Sequence, residues 1–380
     1  MKQLNFALIG TGIIAHEHAM RYADIEGANI VAACDIDEQK LNAFCDKWNI
    51  PHRYTDYREL LKRDDIDAVD VNLHNNLHAP MSIAVMAAGK HCYCEKPMAG
   101  SYIDAVAMKE AAEQYGKRLH IQLGMLYGAQ TACAKTLVDS GRLGEIYHAR
   151  SYGYRRRGRP YVDGYGEKEF VSVPWAGHGA LFDMGVYHIS QLLYLLNTPT
   201  VERVTGNVYA KLAMDESRRK ISDFNVEELG VGFVKFAGGL TMDILESWAI
   251  HGSSFPGSSL HGASGGLQFV DDNVVNFFSE IEGYPATTSL DIRAEAYRKR
   301  KVNPAAMQAF ENSQTQWVGV LRGDFEPIDT AYIALQTMLI SEGIFLSGRL
   351  GREVSADEIP ELCKSIAMKR QETPVGVFEY

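Results

Sequence analysis

Phe6-Ala7-Leu8-Ile9-Gly10-Thr11-Gly12-Ile13-Ile14-Ala15 is the stretch from which the fold is read. Four apolar residues run into two glycines, and the glycines run into a helix predicted to start near Ile13. A buried strand, a tight turn and a helix N-terminus in immediate succession form the opening unit of a dinucleotide-binding fold. Gly10 lets the chain turn sharply. Gly12 lets the backbone approach a pyrophosphate, which then rests on the unpaired N–H groups of the helix. Ala15 takes the third small position, where helix and strand pack closely. Gly10, Thr11, Gly12, Ile13 and Ile14 are therefore candidate cofactor contacts.

A second apolar strand, Asn29-Ile30-Val31-Ala32-Ala33-Cys34, ends at Asp35, twenty residues past Ala15. An acidic side chain there accepts hydrogen bonds from the adenosine ribose and repels the extra phosphate of NADP. Ile36 and Asp37 offer that phosphate no cation, so NAD is expected in preference to NADP.

The 380 residues suffice for two or three domains, and 46% hydrophobic content supplies a large core without metal or disulfide staples. A net charge of −10 argues against general nucleic-acid binding, which needs a positive field. No apolar run approaches the ~20 residues of a membrane span, and the first strand begins at once, so neither a membrane partner nor a signal peptide is expected. Cysteines at 34, 45, 92, 94, 133 and 363 show no metal spacing. Cys92 and Cys94 flank Tyr93 on a predicted strand and read as packed thiols, which suits a reducing, cytoplasmic setting.

In chain order, helices are predicted near 13–24, 37–47, 57–62, 79–88 and 101–115, alternating with strands near 66–71, 91–94 and 119–123. That alternation means an α/β doubly wound parallel sheet, with its ligand at the strand C-terminal ends. After a helix at 129–139 the pattern changes. Strands near 146–153, 201–211, 226–236 and 240–250 dominate, interrupted by a helix at 183–196, and predict an open, mostly antiparallel α+β sheet. Residues 251–266, rich in Gly and Ser, read as a mobile loop, and a last helix is expected at 328–346. The boundary falls between a dinucleotide-binding domain, 1–125, and a substrate-binding and oligomerisation domain, 126–380. An open sheet leaves a face to cover, so a homodimer or homotetramer is expected.

Glu95-Lys96-Pro97 closes the run Gly89-Lys90-His91-Cys92-Tyr93-Cys94-Glu95-Lys96-Pro97. With the opening motif, that run resembles the signature of the glucose–fructose oxidoreductase / inositol dehydrogenase (Gfo/Idh/MocA) family. The likeness extends along most of the chain, through Asn72–His78, Asp139–Ile146, Gly177–His188, Ser347-Gly348-Arg349 and Gly351–Val354. It implies a Rossmann domain, a substrate domain, and hydride transfer at a carbinol carbon.

Lys96 follows a buried strand at the ligand edge of the sheet, where an ammonium can hydrogen-bond a substrate hydroxyl and favour its alkoxide. The resemblance makes Lys96 catalytic, implies a cis bond before Pro97, and brings Glu95 to the cofactor. On a helix Asp183 and Tyr187, four apart, share a face, whereas His188 points elsewhere. Many family members carry His where Tyr187 stands, as acid/base oriented by the aspartate, and some carry Tyr. Tyrosine, with an unperturbed pKa near 10, needs a nearby cation to serve near neutrality. Tyr187 is favoured by position, and His188 is kept as a second candidate lining the same pocket.

His74 and His78 with Asp183 make a metal site conceivable, but the loop resembles the family's cofactor loop. Leu73, His74, Asn75, His78, Ile36 and Glu95 are thus taken as cofactor contacts, and no metal is expected. His178 stands where the family often has glycine and is a candidate for the pocket. Arg155-Arg156-Arg157-Gly158-Arg159-Pro160 is a basic run. In a sugar-binding reading Arg157, Arg159, Asp163, Tyr165 and Trp175 contact hydroxyls and stack on the ring.

The expected activity is NAD-dependent oxidation of a secondary hydroxyl on a sugar, a glycoside (at pyranoside C3) or a cyclic polyol, or the reverse reduction. Two alternatives stand beside it. One is redox-neutral cleavage of a glycosidic bond with NAD held tightly. The other is a non-catalytic NAD or metabolite sensor, against which the presence of Lys96 counts.

Overall fold

A computed structural model describes residues 2–252, 257–271, 274–293, 298, 302 and 312–380. The first elements are β1 (Leu4–Ile9), α1 (Ile13–Ala23), β2 (Ala28–Cys34), α2 (Glu38–Trp48), β3 (His52–Tyr54), α3 (Tyr57–Leu61), β4 (Ala68–Val71), α4 (Asn75–Ala87), β5 (His91–Cys94), α5 (Tyr102–Gln114) and β6 (Leu119–Ile121). Next come α6 (Ala129–Asp139), β7 (Ile146–Tyr154), α7 (Val173–Ala176), α8 (Ala180–Leu195), β8 (Val201–Tyr209), α9 (Glu216–Ser222), β9 (Leu229–Phe236), β10 (Thr241–Ser247), β11 (Ser259–Gly262), β12 (Gly266–Asp271), β13 (Val274–Ile281) and β14 (Tyr284–Asp291). The chain finishes with α10 (Ser313–Arg322), α11 (Thr330–Leu350), β15 (Val354–Ser355), α12 (Ile359–Leu362), β16 (Arg370–Thr373) and β17 (Gly376–Glu379).

Two compact units result. The first is built on a six-stranded sheet in the order β3-β2-β1-β4-β5-β6, with every neighbouring pair parallel. This is the doubly wound order, which reverses direction between β1 and β4 and opens a crevice at their carboxyl ends. β1 and β4 are buried along nearly their whole length, and apart from Asn5 and Asp70 their residues are apolar. Local chemistry marks the helix starts: Asp37 accepts from the Gln39 and Lys40 amides at the head of α2, and Ser101 caps α5.

The second unit holds a nine-stranded sheet in the order β14-β13-β12-β11-β7-β10-β9-β8-β15, antiparallel except for the β7–β10 pair. The open, mostly antiparallel sheet of the sequence reading is present. Strands β11 to β14 extend it further than that reading anticipated. β11 falls inside 251–266, read from the sequence as a mobile loop, and residues 253–256 of that stretch lie outside the described residues.

The units differ from the single division at residue 125. The first comprises Met1–Gln122, Asn312–Tyr332 and Ser365–Tyr380, and the second Leu123–Glu311 and Ile333–Lys364. Residues 312–332 return because Trp317 and Val318 of α10 pack into the core formed by Leu4, Phe6, Tyr22 and Tyr93. The helix expected at 328–346 runs to Leu350. It corrects the expectation that no segment is long and apolar enough to span a membrane: its 21 residues, at a hydropathy of 1.2, meet that criterion by length and composition. Of its most apolar window, 72% is buried inside the fold, and core packing accounts for its apolar content.

Candidate active site

The glycine turn sits at the reversal point of the parallel sheet. Gly10 has φ of +91°, and a Cβ there would lie 2.2 Å from the Asn72 carbonyl oxygen, so only glycine lets the β1 and β4 loops approach this closely. A Cβ on Gly12, in contrast, would meet nothing within 4 Å. Gly12 caps α1 without a side-chain hydrogen bond. The first turn of α1 thus presents backbone N–H groups over a bare glycine surface, the cradle a pyrophosphate requires. Ile13 and Ile14 are exposed beside it.

Asp35 is tied to this turn. Its Oδ2 accepts both the amide and the hydroxyl of Thr11, each at 2.8 Å, and its Oδ1 accepts the Asp37 amide at 2.9 Å. These bonds fix the carboxylate at the end of β2 and leave Oδ1 a second lone pair for a ribose hydroxyl. The residues present therefore fit a dinucleotide.

Beneath the crevice lies a buried ionic group that sequence reasoning missed. His18 of α1 is fully buried, with Nδ1 3.0 Å from Asp70 Oδ2 and Nε2 2.8 Å from Glu95 Oε1. Burial alone would lower the imidazole pKa, but the Asp70 and Glu95 carboxylates push it up to about 10. Glu95 also accepts the Lys96 amide through Oε2, at 2.9 Å. The Glu95 carboxylate, expected at the cofactor, is bonded to the His18 ring and to the Lys96 main chain. Lys96–Pro97 is cis, as the family resemblance implied.

His78 is corrected in the same way. It is 1% exposed, and its ring nitrogens lie 2.8 Å from the Pro97 carbonyl and 2.9 Å from the Leu73 carbonyl. Its ring lies between the loop after β4 and the turn after β5, buried from solvent. Leu73 and His74 stay half-buried at that edge, Ile36 is half-buried beside Asp35, and Asn75 is buried. Among the described residues no three His, Cys, Asp or Glu side chains gather as a metal centre would need.

In the second unit α8 carries the predicted trio. Of its 16 residues, only Asp183, Tyr187, His188 and Tyr194 escape burial. Asp183 Oδ2 accepts the Trp248 indole N–H at 2.8 Å. His188 Nδ1 lies 2.9 Å from Glu246 Oε2, and Glu246, fully buried, also accepts the Ser151 hydroxyl. Burial opposes charge on His188, but Glu246 and the Met184 carbonyl outweigh it and raise its pKa. Gly153 of β7 makes room for the ring: a Cβ there would lie 2.2 Å from His188 Cε1. His188 is thereby anchored to the sheet, and Glu246 is its carboxylate, a partner sequence reasoning did not find.

The sugar-binding set divides. Arg159 is fully buried, and all five N–H donors of its guanidinium are engaged, by Asp163, Glu228 and the carbonyls of Leu212 and Ala213. Asp163 also accepts the Arg159 amide. The pair is a structural staple, not the substrate contact expected of it. Arg157 and Tyr165 are exposed and Trp175 is half-buried, so these three remain accessible. His178 stacks on Phe182 at 4.0 Å and meets Phe345 edge-on, with Nε2 3.4 Å from Glu342, so it belongs to the packing of its own unit.

Two family profiles match the chain: "Oxidoreductase family, NAD-binding Rossmann fold" over residues 4–123, and "GFO/IDH/MocA C-terminal domain" over residues 131–268. Inositol 2-dehydrogenase of Salmonella typhimurium is 33% identical over 155 residues, 39% of this chain and 46% of that protein. The chain thus aligns with about half the length of that relative. D-glucoside 3-dehydrogenase of Escherichia coli is 28% identical over 254 residues, 65% of this chain and 71% of that protein. The crystal structure of an oxidoreductase domain protein from Kribbella flavida superposes with a TM-score of 0.79 at 20% identity, covering 94% of this chain and 100% of the other, a likeness of fold.

Proposed function

The chain belongs to the Gfo/Idh/MocA oxidoreductase family, and from that premise we propose that it transfers a hydride between NAD and a secondary hydroxyl of a sugar, glycoside or cyclic polyol. The observation that carries the reading is the Gly10–Gly12 turn, open at Gly12 and locked to Asp35 through Thr11. A fixed carboxylate at the end of β2 favours a free ribose 2′-hydroxyl and opposes a 2′-phosphate, which supports NAD over NADP. The names of the relatives support a polyhydroxylated substrate.

When bound, NAD supplies the carbon that accepts the substrate's carbinol hydrogen as hydride and returns it in the reverse direction. The residues of this chain handle the oxygen and its proton. The Lys96 ammonium donates to the substrate oxygen and stabilises negative charge as the proton leaves. Glu95, itself held by His18, fixes the main chain at Lys96. Tyr187 takes the hydroxyl proton, and Asp183, on the same face of α8, orients the exchange. His188 and Glu246 secure α8 to its sheet. Arg157, Tyr165 and Trp175 are the accessible candidates for contacts to the sugar. The outer face of the nine-stranded sheet pairs with a second copy.

Absorbance of NADH after mixing the protein with NAD and a panel of sugars, glycosides and inositols tests the reading. A parallel series uses NADP. Growth with NAD and one substrate group is the expected result. A flat panel, with NAD released only on denaturation, replaces it with redox-neutral chemistry.

A further inference from the structure

The segment that follows Lys364 belongs to the first unit, and its anchors lie at the starts of helices that follow the sheet strands. We propose that residues 365–380 form the adenosine-side wall of the dinucleotide site. The inference rests on the reading that NAD binds at the Gly10–Gly12 turn.

Three anchors fix the path. At the head of α5, Asp104 Oδ2 accepts the amides of Ile366 at 3.0 Å and Ala367 at 3.1 Å. Ile366 fills the hollow above Gly100, four residues past Lys96: a Cβ on Gly100 would lie 2.3 Å from Ile366 Cδ1. At the head of α4, the Met368 amide donates to the Asn76 carbonyl at 2.9 Å, just past the Leu73–His74 loop. At the head of α3, Phe378 meets Tyr57 edge-on with ring centres 5.4 Å apart, and Tyr380 stacks on Tyr57 at 5.8 Å and 14°. The Arg58 guanidinium lies 4.8 Å over the Phe378 ring. The Tyr380 hydroxyl donates to Gln371 Oε1 at 2.7 Å, and burial raises its pKa.

The strand order gives these anchors their meaning. Helices α5 and α4 follow β5 and β4, on one side of β1, and α3 follows β3, at the far edge beyond β2. A segment held at all three spans the carboxyl edge of the sheet across the reversal point, with the Gly10–Gly12 turn in its span. In a doubly wound sheet that crevice receives the dinucleotide, and the end of β2 receives its adenosine ribose. Lys369 is exposed along this segment, and the Arg370 guanidinium lies 3.5 Å from Glu372.

Two variants test this: Tyr380→Ala, and a chain truncated after Lys364. Titrations with NAD and with ADP-ribose give Kd, and thermal unfolding shows whether each variant is folded. The inference expects both Kd values to rise, roughly two- to tenfold for Tyr380→Ala, the range of a lost aromatic pair, and further for the truncation. NADH release, followed by stopped-flow, quickens in step. Tyr380→Ala keeps the test open if the truncated chain does not fold. A folded Tyr380→Ala with wild-type Kd for both ligands overturns the wall and leaves the NAD reading intact. Wild-type protein that binds neither NAD nor ADP-ribose overturns that reading, and the wall with it.

Discussion

His18 lies between two carboxylates on two different strands, Asp70 of β4 and Glu95 at the end of β5, and the second of these carries the amide of Lys96. A buried ion group of this kind contributes little when compared with apolar packing, but removing the imidazolium leaves two buried carboxyl groups without their cation. His18→Ala is expected to cost about 3–5 kcal/mol, read as a lower denaturation midpoint. The pH dependence follows from the direction of the shift. A folded pKa of about 10 against the ordinary imidazole value of 6.5 means that stabilisation is complete below pH 6.5 and fades as pH rises toward 10. Melting temperatures across that window are expected to fall more steeply for wild type than for His18→Gln. Lys96→Ala is expected to abolish turnover while NAD binding, titrated directly, is retained. Turnover near the wild-type level would remove the lysine from the reaction. The glycines, Asp35 and Lys96 were legible because each stands at a fixed short offset from the end of a strand. His18 and Glu246 were not, because their partners lie 52, 77 and 58 residues away and no local periodicity encodes such a pairing.

Elements carry the next constraints. The β1–α1 connection depends on Gly10, whose φ of +91° and 2.2 Å approach to the Asn72 carbonyl leave no place for a side chain. Gly10→Ala combines backbone strain of roughly 1–3 kcal/mol with a steric clash. It is expected to lower the denaturation midpoint and to weaken NAD binding, whereas Gly12→Ala, with open space at its Cβ, should leave stability unchanged. Helix α8 poses the sharper question. Its buried face was predictable from apolar spacing, and so was the shared face of Asp183 and Tyr187. The role of His188 was not, because only the bare Gly153 of β7 and the carboxylate of Glu246 show that the ring is seated on the sheet. Tyr187→Phe is expected to lower kcat by about 10²–10⁴, the usual contribution of a positioned acid/base. His188→Gln should lower thermal stability and retain the larger share of kcat. The reverse ranking in steady-state assays would transfer the proton to His188.

Across the whole molecule, composition and alternation announced a parallel sheet followed by an antiparallel one, but not that the chain comes back. Residues 312–332 and 365–380 rejoin the first unit through Trp317 and Phe378, whose burial is settled by long-range packing that sequence neighbours do not reveal. The nine-stranded sheet presents the remaining question, the use of its outer face. Direct cross-strand partners on that face include Phe233, Asp243 and Arg150, and Phe233 is 36% exposed. Asp243 accepts from Arg150 Nε at 3.0 Å and from the Tyr152 hydroxyl at 2.6 Å, with His148 Nε2 2.9 Å away. Asp243 is therefore matched within this face, so a second copy could cover it without stranding that carboxylate, and the exposed ring supplies apolar contact. Sedimentation equilibrium is expected to give a multiple of the 42.2 kDa chain mass. Phe233→Glu places an uncompensated carboxylate at the centre of the pairing and is expected to shift the mass toward one chain while far-UV circular dichroism stays unchanged. Wild-type protein sedimenting as a single chain at micromolar concentration would leave this face to solvent and end the pairing proposal.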